Sequence, residues 1–145
     1  MCTRTVRMAA TLAGLALAAP ALASSVEIEA NQHGQYEAMA GIEHSPIRVL
    51  IDTGASFVAM SFEDAEDAGL RPRSLTYDVP VNTANGLVKG ARIVLDRVEV
   101  GNVVVRDVEG LVLPRGAYNG TLLGMSFLGK LDSFKFEDGK LYLRK

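Results

Sequence analysis

Five consecutive residues, Asp52-Thr53-Gly54-Ala55-Ser56, combine a carboxylate, two hydroxyls and a glycine between the apolar runs Val49-Leu50-Ile51 and Phe57-Val58-Ala59-Met60. This spacing puts an acid on a tight turn between two strands, at the lip of an apolar layer. Such an acid either caps its turn or does chemistry. In the first case Asp52 forms an Asx-turn, bonding the backbone two residues on, with Gly54 supplying a positive φ. In the second it moves a proton. The triplet Asp-Thr-Gly arises by chance in roughly a few per cent of chains this long, so it needs a second signal beside it.

Leu122-Leu123-Gly124 supplies one. In order and spacing the two motifs resemble those of aspartic peptidases, in which Asp-Thr-Gly follows an apolar strand and a later pair of apolar residues with a glycine crosses under the catalytic loop. The chain looks most like the short, single-domain retropepsin-like peptidases of bacteria, over about residues 33–143. The resemblance implies an all-β, retropepsin-like closed barrel with one or two short helices. It makes Asp52, Thr53 and Gly54 the catalytic motif and Leu122, Leu123 and Gly124 the supporting loop. Thr53 would interlock with its counterpart beneath the paired acids, and Gly54 would let the backbone approach them closely.

Peptidases of this class hold a water between two aspartates, one ionised and one protonated, because two touching carboxylates cannot both ionise cheaply. This chain carries one Asp-Thr-Gly. A homodimer would bring the second, since a two-fold interface places the same residue on both sides. Pepsins have a hydroxyl residue where Ala55 stands, and retroviral enzymes have alanine. Without that donor to the ionised form, the expected working pH is less acid than pepsin's. Ser56 and Met125 replace an Asp and an Arg that pair in the retroviral pattern, so a dimer-stabilising contact is missing.

Residues 1–23 read as a secretory signal, with Arg4 and Arg7, an apolar stretch from Met8 to Ala19 and a small-residue cleavage site at Ala21-Leu22-Ala23. The expected location is the periplasm or beyond; an uncleaved leader would instead anchor the protein to the inner membrane. Residues 24–145 then form one domain. Without the two leader arginines, 13 basic residues face 17 acidic ones, a formal charge of −4. No basic stripe invites nucleic acid. Cys2, the single cysteine, lies in the leader, and His33 and His44 stand far apart, so no metal site and no cofactor is expected.

Short apolar runs recur between turn residues every eight to twelve positions, the pattern of a β-sandwich or barrel. Tyr36 to Ile42 and Ile47 to Ile51 form a hairpin around a loop at Glu43-His44-Ser45-Pro46, delivering Asp52. Ser61 caps a short helix over Phe62 to Ala68, stopped by Gly69. Asn85-Gly86 is a hairpin turn between Val79–Ala84 and Leu87–Lys89. By resemblance Val81 to Val88 fold over the substrate as a flap, although this turn lacks the tyrosine of pepsin-like flaps; otherwise it is a solvent hairpin. Ala55, Ser56, Asn82, Thr83, Ala84, Asn85 and Gly86 are the expected substrate contacts.

Ala91 to Val100 alternates, with a phase slip at Asp96-Arg97 that suggests a bulge. Val103–Val105 and Val108–Leu113 supply further strands. Met125 to Leu131 suits a helix. Asp138-Gly139 closes a last hairpin in which Glu137 faces Lys140 and Phe136 faces Leu141. That hairpin either joins a dimer seam or stays within the chain. Leucine-glycine and aspartate-glycine segments, each followed by a short helix, give a faint internal echo. Asn119-Gly120-Thr121 reads as a turn, although it matches a glycosylation sequon. The expected activity is cleavage of peptide or protein substrates by a homodimer. The alternative is a secreted β-domain on the same scaffold that binds a peptide or small ligand without cutting it.

Overall fold

The computed structural model describes residues 23–145; the leader expected at the N-terminus lies almost wholly outside them. Ten strands dominate: β1 Ser25–Glu29, β2 Glu37–Ile42, β3 Ser45–Ile51, β4 Val58–Met60, β5 Val79–Thr83, β6 Gly86–Val100, β7 Val103–Val112, β8 Thr121–Leu123, β9 Ser133–Glu137 and β10 Lys140–Arg144. Two short helices, α1 Phe62–Asp67 and α2 Met125–Leu128, and a 3-10 turn at Pro72–Ser74 complete them. None of these helices is long and apolar enough to cross a membrane.

Strands run in the order β2-β3-β8-β4-β7-β6-β5, and a further β2–β6 pairing closes the first six into a barrel. The fold is therefore the all-β closed barrel expected. Alternation explains why: along β3, Ile47, Val49 and Ile51 are buried while Arg48 is exposed, so one face meets the core and the other water. The core gathers Ile42, Val49, Met60, Leu95, Val98, Leu123 and Phe127 from six different elements. Every element that flanks the Asp-Thr-Gly turn is anchored in it.

Several local expectations need correction. The first hairpin turns on Glu43 and His44 alone, both with positive φ, and Pro46 pairs with Gly41 inside β3. The chain thus gains two residues of ladder from a two-residue turn. Asp96 starts no bulge, because Leu95↔Val108 and Arg97↔Arg106 keep one register with no inserted residue. Asp96 and Asp107 instead drop out of the ladder together, with Asp107 at φ 54°. Inward positions switch from Leu95 to Val98 on one strand and from Val105 to Val108 on the other. Both strands therefore change face at the same step, and β7 is one strand where two were expected.

A side chain repairs the gap. The Asp96 and Arg97 amides donate to Glu43 Oε1, at 2.5 and 3.4 Å, and the Glu43 amide donates to the Arg97 carbonyl at 3.1 Å. On the opposite strand, Lys130 Nζ donates to the carbonyls of Arg106 and Asp107.

The terminal sheet is β1-β10-β9, all within one chain. The register of the last hairpin is the expected one, Glu137 opposite Lys140 and Phe136 opposite Leu141. The charges pair differently: Lys140 donates to Glu27 across the neighbouring strand at 2.6 Å, and Glu137 takes Lys135. The two helices are shorter than expected, ending at Asp67 and Leu128. Ser61 caps α1 as its type suggests, its hydroxyl accepting from the Asp64 amide.

Replacing Glu43 by alanine strips two strand amides of their acceptor. We expect a loss of about 1–3 kcal/mol in stability, measured by chemical denaturation, with the denaturant slope unchanged.

Candidate active site

β8 runs between β3 and β4, parallel to the first (Leu50↔Leu122, Ile51↔Leu123) and antiparallel to the second (Ala59↔Leu122). The Asp-Thr-Gly turn joins β3 to β4 and so must pass over the end of β8. The crossing is tight. A Cβ on Gly124 would sit 2.3 Å from the Phe57 carbonyl oxygen and 2.5 Å from that of Ala55. Only glycine fits there.

Beyond Gly124 the chain turns into α2, and its amides hold the loop. Met125 and Ser126 donate to the carbonyls of Ala55 and Ser56, at 2.8 and 2.9 Å. The Ser126 hydroxyl accepts from the Val58 amide at 3.0 Å and donates to the Glu109 carbonyl at 2.6 Å. Ser126 was missed in the sequence, where a serine after Gly-Met carries no special signal. On the other side of the turn, the Asp52 amide donates to the Leu123 carbonyl at 3.1 Å, extending the β3–β8 ladder by one residue.

Asp52 is half-buried, and its Oδ1 accepts from the Gly54 amide at 2.8 Å. The Asx-turn is therefore real, but Gly54 does not have a positive φ. Its lack of a side chain serves close approach instead, since a Cβ there would lie 3.1 Å from Asp52 Oδ1. The turn uses one carboxylate oxygen. Oδ2 forms no hydrogen bond or ion pair with the described residues, and Asp52 lines a cavity of about 510 Å³.

Asp52, Gly54, Ala55 and Ser56 line that cavity on one side, and Asn82, Thr83 and Ala84 of the β5–β6 hairpin line it on the other, with Leu122 between. Five expected site residues lie outside its lining. Thr53 is exposed, Leu123 and Gly124 are buried beneath the turn, and Asn85 and Gly86 lie beyond the hairpin's contact with the cavity. The hairpin register explains the last two. Thr83 pairs with Gly86, so the turn is Ala84-Asn85 rather than Asn85-Gly86, with positive φ at Gly86 alone of these residues. Thr83 Oγ1 clamps it, accepting from the Asn85 amide and donating to the Gly86 carbonyl.

The cavity also takes residues with no motif to mark them. Phe57, Ala59, Val79, Val81, Leu111 and Leu113 make most of its wall apolar, and Pro80 belongs to the hairpin side. Tyr118 enters from the loop between β7 and β8. Its phenol titrates above the ordinary value of 10.0, first because burial disfavours the phenolate, then because the charges of Asp52 and Asp64 oppose a further negative charge. Among the described residues, no group of three or more His, Cys, Asp or Glu side chains could hold a metal ion.

Residues 38–130 match the family model described as "gag-polyprotein putative aspartyl protease". Two curated relatives are uncharacterized proteins. One, encoded in the cobV 5' region of Sinorhizobium sp, is 38% identical over 112 residues, which are 77% of this chain and 48% of that protein. The other, RP867 of Rickettsia prowazekii (strain Madrid E), is 34% identical over 110 residues, or 76% and 47%. This chain thus spans about half the length of the curated relatives it matches. Among solved structures, a retropepsin-like aspartic protease from Rickettsia conorii superimposes with a TM-score of 0.76 at 31% identity, over 84% of this chain and 91% of that one. The EIAV protease complexed with the inhibitor HBY-793 shares the fold at 19% identity, with a TM-score of 0.55 over 68% of this chain and 89% of that one.

Two outcomes follow from the site's geometry. Gly124→Ala forces the loop carbonyls apart and should cost at least about 1–3 kcal/mol, read by thermal unfolding. Asp52→Asn removes one of the charges that oppose phenolate formation, so Tyr118 should titrate at lower pH than in the wild type. Ultraviolet difference spectra against the matching Tyr118→Phe proteins isolate that phenol.

Proposed function

Since the chain belongs to the retropepsin-like aspartic proteases, we propose that it is an endopeptidase whose catalytic centre is completed when two copies each bring Asp52 to a shared two-fold axis. The observation that carries this is the state of the Asp52 side chain: one oxygen is fixed by the Gly54 amide, the other has no partner among the described residues, and the residue lines an apolar cleft roofed by a hairpin.

In this reaction a water lies between the two carboxylates. The ionised one takes its proton as the oxygen attacks the scissile carbonyl, while the protonated one donates to the carbonyl oxygen. The tetrahedral species collapses as the amine leaves with a proton, and no acyl-enzyme forms. Two like charges at contact cannot both be held cheaply, so the pair shares one proton across the working range. Metal is not required by this route.

The chain's own features support each part. A cleft walled by Phe57, Val79, Val81 and Leu111 suits the side chains of an extended peptide. The β5–β6 hairpin covers Asp52 from the opposite side, as a flap would. Thr53 is exposed on the single chain, which leaves it free to meet its counterpart across the axis. Export through residues 1–23 to the periplasm or beyond completes the proposal.

Asp52→Asn keeps an oxygen to accept from the Gly54 amide, so the fold and the dimer should persist while cleavage of a mixed peptide library falls by several orders of magnitude. Cutting at the wild-type rate by that variant would refute the assignment. Specific activity should also drop on dilution through the dimer dissociation constant. A protein that stays monomeric and binds peptides without cutting them would instead be a non-catalytic β-domain on this scaffold.

A further inference from the structure

The cleft is apolar over most of its wall, and few polar side chains enter it. Asp52 and Ser56 come from the turn, and Asn82 and Thr83 come from the hairpin. The Thr83 hydroxyl is committed to its own turn, donating to Gly86 and receiving from Asn85. Asn82 and Ser56 are exposed. Tyr118 differs from all of these. It is half-buried, and its hydroxyl makes no hydrogen bond with the described residues.

The loop that carries it is braced along its length. Leu113 donates to the Met60 carbonyl at 2.9 Å, Ala117 to the Pro114 carbonyl at 3.1 Å, and the Gly120 carbonyl accepts from the Ser61 amide at 2.9 Å. Gly116 and Gly120, both at positive φ, set the two bends on either side of the tyrosine. Arg115 lies 4.0 Å over the Phe62 ring and bonds Glu63 and Glu66. The phenol is thus presented from a framework that does not need to reorganise. A half-buried tyrosine on the wall of an open cleft, carried by a braced loop and with a hydroxyl that has no partner among the described residues, lacks only an acceptor, and one supplied by a ligand meets little ordering cost.

We propose that Tyr118 is a positioning residue of the cleft, whose hydroxyl donates a hydrogen bond to a backbone carbonyl or hydroxyl oxygen of the bound peptide chain, so that the wall facing the flap, and not the flap itself, supplies the phenolic donor. The raised titration of Tyr118 agrees with this, because the group stays protonated, and so a donor, throughout the neutral and acid range. The proposal rests on the peptidase reading for the identity of the ligand, and it concerns recognition rather than proton transfer.

The test is calorimetric binding of a peptide mimic containing a secondary hydroxyl, by wild type, Tyr118→Phe, Tyr118→Ala and Asp52→Asn, each checked for an unchanged melting temperature. Tyr118→Phe keeps the wall and removes only the donor, so its affinity should fall about five- to tenfold. Tyr118→Ala should lose at least as much. On a cleaved peptide, Tyr118→Phe should raise KM by a similar factor and change kcat much less. If Tyr118→Phe binds like the wild type while Tyr118→Ala is weaker, the ring is only a wall and the proposal fails. Should the mimic bind and Tyr118→Phe weaken it, while neither wild type nor Asp52→Asn cuts any peptide, the peptidase reading fails and Tyr118 keeps its role. A wild-type protein that does not bind the mimic overturns the proposal outright.

Discussion

The structure depends on a point where two pieces of backbone touch with no side chain between them. Gly124 lies under the carbonyls of Ala55 and Phe57, too close for even a methyl group. From that contact follow the amides of Met125 and Ser126 reaching the turn, the Ser126 hydroxyl bridging β4 and β7, and the Asp52 amide bonded to Leu123. A carboxylate on a free loop would sample many positions. Here the strand beneath the loop removes that freedom, and the proposed pairing of this acid with a second one calls for preorganisation of this kind.

The closed barrel is what makes the crossing possible. β8 has three residues, yet it is paired on both sides, parallel to β3 and antiparallel to β4. Thr121, at its start, donates its hydroxyl to Asp64 Oδ2 at 2.7 Å, tying the strand to α1. A short strand with both edges satisfied and its end side chains buried has little room to slip in register. The cleft above it inherits that rigidity from below, while its roof is a two-stranded hairpin with exposed Leu87 near its tip and an outer strand, β5, paired on one side only. Mobility is expected to concentrate in the roof.

Much of this was legible in the residues. Asp-Thr-Gly and Leu-Leu-Gly are local signals whose physical demands, a tight turn and a close approach, show in the residue types themselves. Alternation marked β3 and the last hairpin correctly. What failed to show was long-range. Glu43 replaces a missing ladder pair at Asp96, 53 residues away in sequence, and no local pattern announces it. Lys140 chose Glu27 over the facing Glu137 because β1 lies alongside β10, a fact of topology. The turn of the β5–β6 hairpin shifted by one residue because the Thr83 hydroxyl closes a turn around Ala84-Asn85, leaving the positive φ to Gly86. Tyr118 escaped notice because its meaning comes from the cavity it enters, and the faint internal echo proved only partial, since α2 follows Gly124 directly whereas α1 comes after a further strand.

The terminal sheet has a mechanical consequence. Ser24 and Lys145 exchange both backbone hydrogen bonds at 2.8 Å, and Ser25 lies opposite Arg144. The two ends of the described chain therefore leave from one corner of the molecule. Tension applied between them loads the β1–β10 ladder at its tip, opening one rung after another, and never shears the whole row at once. Pulled by its ends, the fold should give way at far lower force than one whose terminal ladder is loaded in shear.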